Sequence, residues 1–329
     1  MVAKSLKKMG ALTLIAGSFS VLALPAQAAG YPNHSIRVIV PFAPGGSTDI
    51  VARIVSQRMS EILGQPLVIE NKGGAGGAIG ATEAARAKPD GYTLSIATVS
   101  TMAVNPACRP KDLTYKPLTD FMPVTNFANV PNVIEVNPKF PAKNFKEFVA
   151  VLKKNPGKYS FGSSGTCGVL HLFGEAFKMA TGTQIVHVPY KGSGPAVTDA
   201  VGGQIEILFD NMPSSMPQIQ AGRLRAMAIA WPQRLSELKD VPTLAEEGYP
   251  QLNQPAWYGL LAVKGTPPEI IDTLYKAASK ALKDPKVVAA LQKQGAEPSG
   301  NTPAEFGKEI KEQYDWAHDV VAKGHIEMK

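Results

Sequence analysis

From Val38 to Asp49 a short apolar strand passes through Pro41-Phe42-Ala43-Pro44 into a glycine pair, Gly45-Gly46, then a hydroxyl-bearing turn, Ser47-Thr48, and an amphipathic helix. Strands that alternate with helices bury their apolar faces as parallel sheets covered on both sides, so this unit and its repetition set the fold class at α/β. Ile36–Phe42 reads as a strand, and Ile50, Val51, Ile54, Val55, Met59, Ile62 and Leu63 recur at helical spacing until Gly64. Strand Leu67–Ile69 follows. The glycine turn 73–77 then leads to a small-residue helix ending near Lys88 and to strand Thr93–Thr98. The same grammar returns with helix Phe145–Lys154, strand Tyr159–Phe161, a helix from about Gly168, strand Ile185–Val188, and strands Ile205–Phe209 and Leu224–Ala230. The apolar run Trp257–Val263 and three helical segments after Thr266 close the chain.

The opening unit also has a chemistry. Peptide N–H groups at a helix start have no intrahelical partner and lie at the positive end of the helix dipole, so they hold a carboxylate or phosphate without a cationic side chain.

The first residues carry Lys4, Lys7 and Lys8, then an apolar run from Ala11 to Leu24, then Pro25-Ala26-Gln27-Ala28-Ala29. This is the pattern of a secretory signal peptide cleaved after Ala28, and the run is too short for the roughly 20 residues of a membrane span. The expected mature chain is periplasmic, with no membrane insertion. Its net charge is the quoted +7 less the three signal lysines, or +4, with no Lys/Arg block, so no nucleic acid partner is expected. Cys108 and Cys167 are the two cysteines of the chain. Export permits a disulfide between them, and two buried thiols are the alternative.

Two stretches rich in proline and asparagine, Met122–Pro141 and Tyr249–Pro255, read as crossings between two lobes. The expected division is a signal peptide over 1–28, one lobe from 29–130 with 254–329, and a second lobe over 131–253. Each lobe is expected to carry a mostly parallel sheet flanked by helices, with a ligand cleft between them.

Several chemistries fail on spacing. The glycine turn at 73–80 places Ile79 where GxGxxG needs its last glycine, so it reads as a tight, closely packed turn. Gly162-Ser163-Ser164-Gly165-Thr166 misses the GxSxG nucleophile elbow by one residue, which leaves a secreted hydrolase or transferase using Ser164 (or Ser163) with His171 as the rival reading. The five histidines form no ligand cluster, so no metal is expected, and no cofactor. His171 and His187 read first as packing residues, and Asp49 first as a partner of its helix dipole. Phe42, Tyr190 and Trp257 either stack on an aromatic acid or pack the hinge.

What remains is a set of glycine and hydroxyl loops at strand ends. Phe42, Gly45, Gly46, Ser47, Thr48, Asp49, Ser100 and Thr101 belong to one lobe, and Ser163, Ser164, Gly165, Thr166, His171, Tyr190, Gly192, Ser193 and Asp210 to the other. These are the candidate ligand-binding residues. Each lobe offers a berth for one anionic end of a small carboxylate.

Four segments carry a family resemblance: Tyr31-Pro32 with Ile36–Asp49, Val68–Gly77, Lys88–Leu94 and Asp120–Val124. Val188–Gly192, Phe209-Asp210-Asn211, Asp240–Thr243 and Trp257–Ala262 extend it to the C-terminus. The chain resembles the Bug-type periplasmic substrate-binding receptors of tripartite tricarboxylate transporters. The resemblance implies a type II-like periplasmic binding protein fold and a monomeric two-lobed receptor that closes on a di- or tricarboxylate, an aromatic acid or an acidic amino acid. It also implies delivery to membrane permease subunits without catalysis, one carboxylate meeting Phe42 and Gly45–Asp49 and the other end meeting the second lobe's Ser/Gly loop. A sensory receptor with the same site and no transport role is the alternative. In this chain Cys167, Val169 and Leu170 stand between Thr166 and His171, where relatives carry a run of Gly, Ser, Thr and Asn.

Overall fold

A computed structural model describes residues 30–324; the expected signal peptide lies outside the described residues. The chain begins with β1 (Ile36–Val40), α1 (Ser47–Leu63), β2 (Leu67–Asn71), α2 (Ala78–Ala85) and β3 (Thr93–Thr98). A π-type turn over Ser100–Val104 runs into α3 (Asn105–Cys108), and β4 (Phe121–Val130) follows. Next come β5 (Asn132–Val136), α4 (Phe145–Lys154), β6 (Ser160–Ser163), α5 (Val169–Thr181), β7 (Val186–Pro189), α6 (Ser193–Gly202), β8 (Ile207–Asn211), α7 (Met212–Gln220) and β9 (Arg225–Ala230). The chain then returns through β10 (Ala256–Val263), α8 (Pro268–Leu282), α9 (Pro285–Lys293), β11 (Glu297–Pro298) and α10 (Pro303–Gly324).

Two sheets result, one ordered β11-β4-β10-β3-β1-β2 and the other β7-β6-β8-β5-β9. Parallel pairing joins β1 to β2 and β3, and β6 to β7 and β8, where each connection is a helix. The strands that carry the chain between sheets run antiparallel: β10 against β3 and β4, and β5 against β8 and β9. Each sheet is therefore mixed, a refinement of the mostly parallel expectation. β1 is buried on both faces, which is why it reads as an unbroken apolar run rather than an alternation. On α1, Val51, Ala52, Val55 and Met59 turn inward, and Gly64 closes the helix in the left-handed conformation at φ 68°.

The first proline- and asparagine-rich crossing is less irregular than its composition suggests. Met122–Pro141 holds most of β4 and all of β5, and only Pro131 lies between them. Asn126 is held inside the strand because its donors are matched, although its Oδ1 is buried without a partner among the described residues. Asn126 donates through Nδ2 to Asn129 Oδ1 and to Glu309, and its N–H donates to Asn301 Oδ1. Ser100 and Thr101, expected in a loop, begin the helical turn that leads to α3. Cys108, the last residue of α3, is disulfide-bonded to Cys167 in the loop before α5, with Cα atoms 5.9 Å apart. The bond joins an element packed on α10 to the loop that leaves β6.

Candidate ligand-binding site

The loops at the C-terminal ends of β1, β3, β6, β7 and β8 face one another across the gap between the sheets. Phe42, Gly46, Ser47, Thr48, Thr98, Val99 and Ser100 line one side of a cavity there. Ser164, Val169, Ser193 and Asn211 line the other, and Ala256 and Tyr258 of β10 complete it. No charged side chain takes part in this lining.

Four helices begin at the cavity: α1 after Gly46, α5 after Gly168, α6 after Gly192 and α7 after Asn211. None of the four cap residues places a side chain on its own helix's first amides. Three of the caps are glycine, which supplies no capping oxygen and lets the backbone come close to whatever lies in front. The positive ends of four helix dipoles therefore converge on one small volume, and a carboxylate there is stabilised by up to about 2 kcal/mol per partly buried helix end.

The two walls are already laced together. Ser47 Oγ lies 2.9 Å from the Asn211 carbonyl and 2.6 Å from Ser214 Oγ, with one hydrogen to give to either, and accepts the Ser214 N–H at 2.9 Å. Val169 N–H donates to Ser100 Oγ at 2.9 Å, Ala43 N–H to the Lys191 carbonyl at 3.1 Å, and Tyr258 OH to Asn211 Oδ1 at 2.7 Å. The cavity is about 10 Å³, roughly the space of one water. This is a closed arrangement, in which the two walls meet directly.

Phe42, Gly46, Ser47, Thr48, Ser100, Ser164 and Ser193 of the sequence-predicted set thus come together at the cavity. The others surround it. Asp49 accepts from Gly45 N–H at 3.0 Å, from Asn71 Nδ2 at 2.9 Å and from Arg53 Nε at 2.9 Å, which braces the loop. Burial raises its pKa, but these hydrogen bonds, Arg53 foremost, leave it below the usual carboxylate range. Thr101 is tied to Thr98, its N–H donating to Thr98 Oγ1 at 3.1 Å. Gly165 and Gly192 pass close to facing backbone, and the Thr166 carbonyl accepts from Arg109 at 2.7 Å. Tyr190 turns away to donate to Asp199 Oδ2 at 2.7 Å. Trp257 is buried against Phe306. Asp210 lies fully buried behind Ser193.

Ser164 and His171 do not meet as the rival enzyme reading requires. His171 Nδ1 accepts the Cys167 N–H at 3.2 Å, and its ring stacks on His187 with centroids 3.7 Å apart. His187 Nε2 lies 2.7 Å from Ser163 Oγ. Burial drives both imidazoles far toward the neutral form, His171 to about 4 and His187 to about 3.

The residues missed from the sequence are Thr98, Val99, Val169, Ala256 and Tyr258, while Asn211 also lines the cavity. Asn211 carried a signal, as the polar residue ending a strand beside Asp210. Tyr258 lies on an antiparallel strand far along the chain, and only its pairing with β3 brings it here. The glycine turn does pack closely: a Cβ at Gly76 would lie 2.5 Å from the Thr166 carbonyl, and one at Gly73 2.5 Å from the Lys191 carbonyl. Both contacts reach across the gap.

A two-sheet α/β chain with helix starts turned into an uncharged cleft is built as a solute-binding protein. The comparisons give the family: the chain belongs to the tripartite tricarboxylate transporter family receptors (TctC), whose family model matches residues 51–324. It is 41% identical to Protein BugT of Bordetella pertussis over 283 residues, covering 86% of each chain. A solved structure described as a periplasmic transporter shares 76% identity at a TM-score of 0.90, covering 91% of this chain and 100% of that one. MatC of Rhodopseudomonas palustris with bound malate shares 34% identity at a TM-score of 0.84, covering 88% of this chain and 100% of that one. R. palustris Rpa4515 with adipate shares 34% at 0.85, covering 89% and 97%. The family is one of receptors rather than enzymes.

Proposed function

We propose that the mature protein, starting after Ala28, is a periplasmic receptor that captures a small organic carboxylate between its lobes and hands it to the permease of a tripartite transporter. The lobes comprise residues 29–130 with 254–329, and 131–253. The observation that carries this reading is the convergence of four helix starts, none capped by its own N-cap side chain, on a cavity with no charged side chain in its lining. One carboxylate sits against Gly46, Ser47 and Thr48 at the start of α1, the other end against Ser193 at the start of α6, and Ser100 and Ser164 flank it. Charge-assisted hydrogen bonds of about 1.5–3 kcal/mol each, made in a water-excluded cleft, suffice for tight binding without a cation. That relatives were solved with malate and with adipate supports a carboxylate ligand.

The test is a thermal-shift screen across di- and tricarboxylates, aromatic acids and acidic amino acids. A ligand at 100 times its dissociation constant adds about 2.7 kcal/mol to folding stability. A shift with at least one carboxylate is expected; a flat response across the panel refutes the reading.

A further inference from the structure

Ser193 lines the cleft, but its hydroxyl hydrogen is already committed: it donates to Asp210 Oδ1. Ser214 donates to Asp210 Oδ2 at 2.5 Å. Ser215 Oγ lies 3.0 Å from that same oxygen and 2.6 Å from Glu135 Oε1. A hydroxyl has one hydrogen, so Ser215 cannot donate to both carboxyls. With both ionised, one of these short oxygen contacts would hold no proton. A proton on Glu135 Oε1, donated to Ser215 Oγ, lets Ser215 donate onward to Asp210 and satisfies the chain.

The geometry puts that proton on Glu135 rather than Asp210. Asp210 receives three hydroxyls, whereas Glu135 Oε2 is buried with no hydrogen-bond partner among the described residues. Both side chains are fully buried on adjacent strands, β5 and β8. Tyr258, facing them from β10, donates to Asn211 Oδ1. Among the described residues, the side-chain hydrogen bonds of both carboxyls are to serines, none to a lysine or arginine. Burial, and then the Asp210 charge, push the Glu135 pKa well above the usual range, in the direction the hydrogen bonding requires.

We propose that Glu135 is a positioning residue for ligand selection: by keeping one proton, it leaves Asp210 as the common acceptor for Ser193, Ser214 and Ser215 and turns the lone pairs of Ser193 toward the cleft. There the Ser193 hydroxyl accepts a hydrogen bond and cannot donate one, while the peptide N–H groups at the start of α6 remain donors. This rests on the receptor reading and narrows its ligand to a carboxylate that carries a donor, a hydroxyl or an ammonium, beside one carboxyl group. An unsubstituted acid leaves the Ser193 oxygen desolvated and unpaired.

Isothermal titration of the mature protein with the unsubstituted acids from succinate to adipate, and with their 2-hydroxy and 2-amino derivatives, tests the proposal. At the best-bound chain length a substituted acid should bind roughly tenfold or more tighter than its parent, the worth of one such hydrogen bond. The hydroxy and amino arms show which donor the wall prefers. Ser193→Ala removes the accepting oxygen, so the preference should shrink to within about threefold, a loss of most of that hydrogen bond's discrimination. Glu135→Gln keeps a donor toward Ser215 and should keep the preference. Equal or tighter binding of the unsubstituted acid, or a preference unmoved by Ser193→Ala, overturns the proposal, as does its loss in a folded Glu135→Gln protein. Failure of every acid to bind refutes the receptor reading itself, and this inference with it; binding without preference refutes the inference alone.

Discussion

Gly194→Ala separates closure of the cleft from stability of the fold. Gly194 is the second residue of α6, and its backbone needs no left-handed conformation. Within its own helix, alanine is the better residue by about 0.5–1 kcal/mol. The obstacle is across the gap: a Cβ there would lie 2.3 Å from the Pro44 carbonyl oxygen and 3.3 Å from Gly45 C and Gly46 N. Ordinary contact begins at 3.4 Å, so the loop before α1 must retreat by about 1 Å. The Ser47–Ser214 bonds at 2.6 and 2.9 Å would then stretch beyond about 3.2 Å, the outer limit of a good hydrogen bond. Overpacking of this kind costs about 1–3 kcal/mol. Because the clash exists only when the walls meet, the cost falls on the liganded, closed form, and affinity should drop by roughly 5- to 150-fold. Calorimetry for the dissociation constant, with a thermal melt of the protein alone, measures both sides. The expected result is weaker binding with an unchanged or higher melting temperature. Wild-type affinity in Gly194→Ala would refute the idea that these two loops must meet.

Three further predictions follow from other parts of the molecule. The Cys108–Cys167 disulfide closes a loop spanning 59 residues, so replacing both cysteines by serine should cost roughly 4 kcal/mol on the chain-entropy account, read by denaturant melts; an unchanged midpoint after reduction would contradict it. Glu135 has a raised pKa in the folded state, so wild type loses stability relative to Glu135→Gln as pH climbs past the unfolded value near 4.3. The slope is about 1.4 kcal/mol per pH unit until the folded value is reached, and parallel urea-stability curves between pH 4 and 8 would refute the shared proton. His171 and His187 have depressed pKa values, so the unfolded chain binds protons first. Stability should fall as pH drops from about 6.5 toward 4 and 3, and His187→Phe should flatten that acid limb; an unchanged limb would mean the rings are not held neutral.

The strand–turn–helix units were legible because each is local: a β-branched run, a glycine stop and an apolar face at helical spacing lie within a few dozen residues. The loop Gly45–Thr48 could be placed at the cleft for the same reason. Asp210-Asn211, the end of a strand, was legible in the same way; Tyr258 was not, since its position depends on an antiparallel strand that pairs across a long separation, and sequence spacing carries no trace of that register. Asparagine in β4 misled for a related reason: its partners Asn301 and Glu309 come from the far end of the chain. His171 and Tyr190 sit at the right point in the chain but their side chains turn to Cys167 and Asp199, a choice made by packing. The Glu135–Asp210 pair was split in the same way. Asp210 stood out at the end of a strand, while Glu135 looked like one more polar residue in an apolar run.

A crystal structure of the mature protein with its tightest-binding carboxylate is the direct test of the central claim. One carboxylate should lie within hydrogen-bond distance of peptide N–H groups at the start of α1 and the other end of the ligand at the start of α6, with no lysine, arginine or metal ion in contact. A ligand bound away from these helix starts, or held mainly by a cationic side chain or ion, would contradict it.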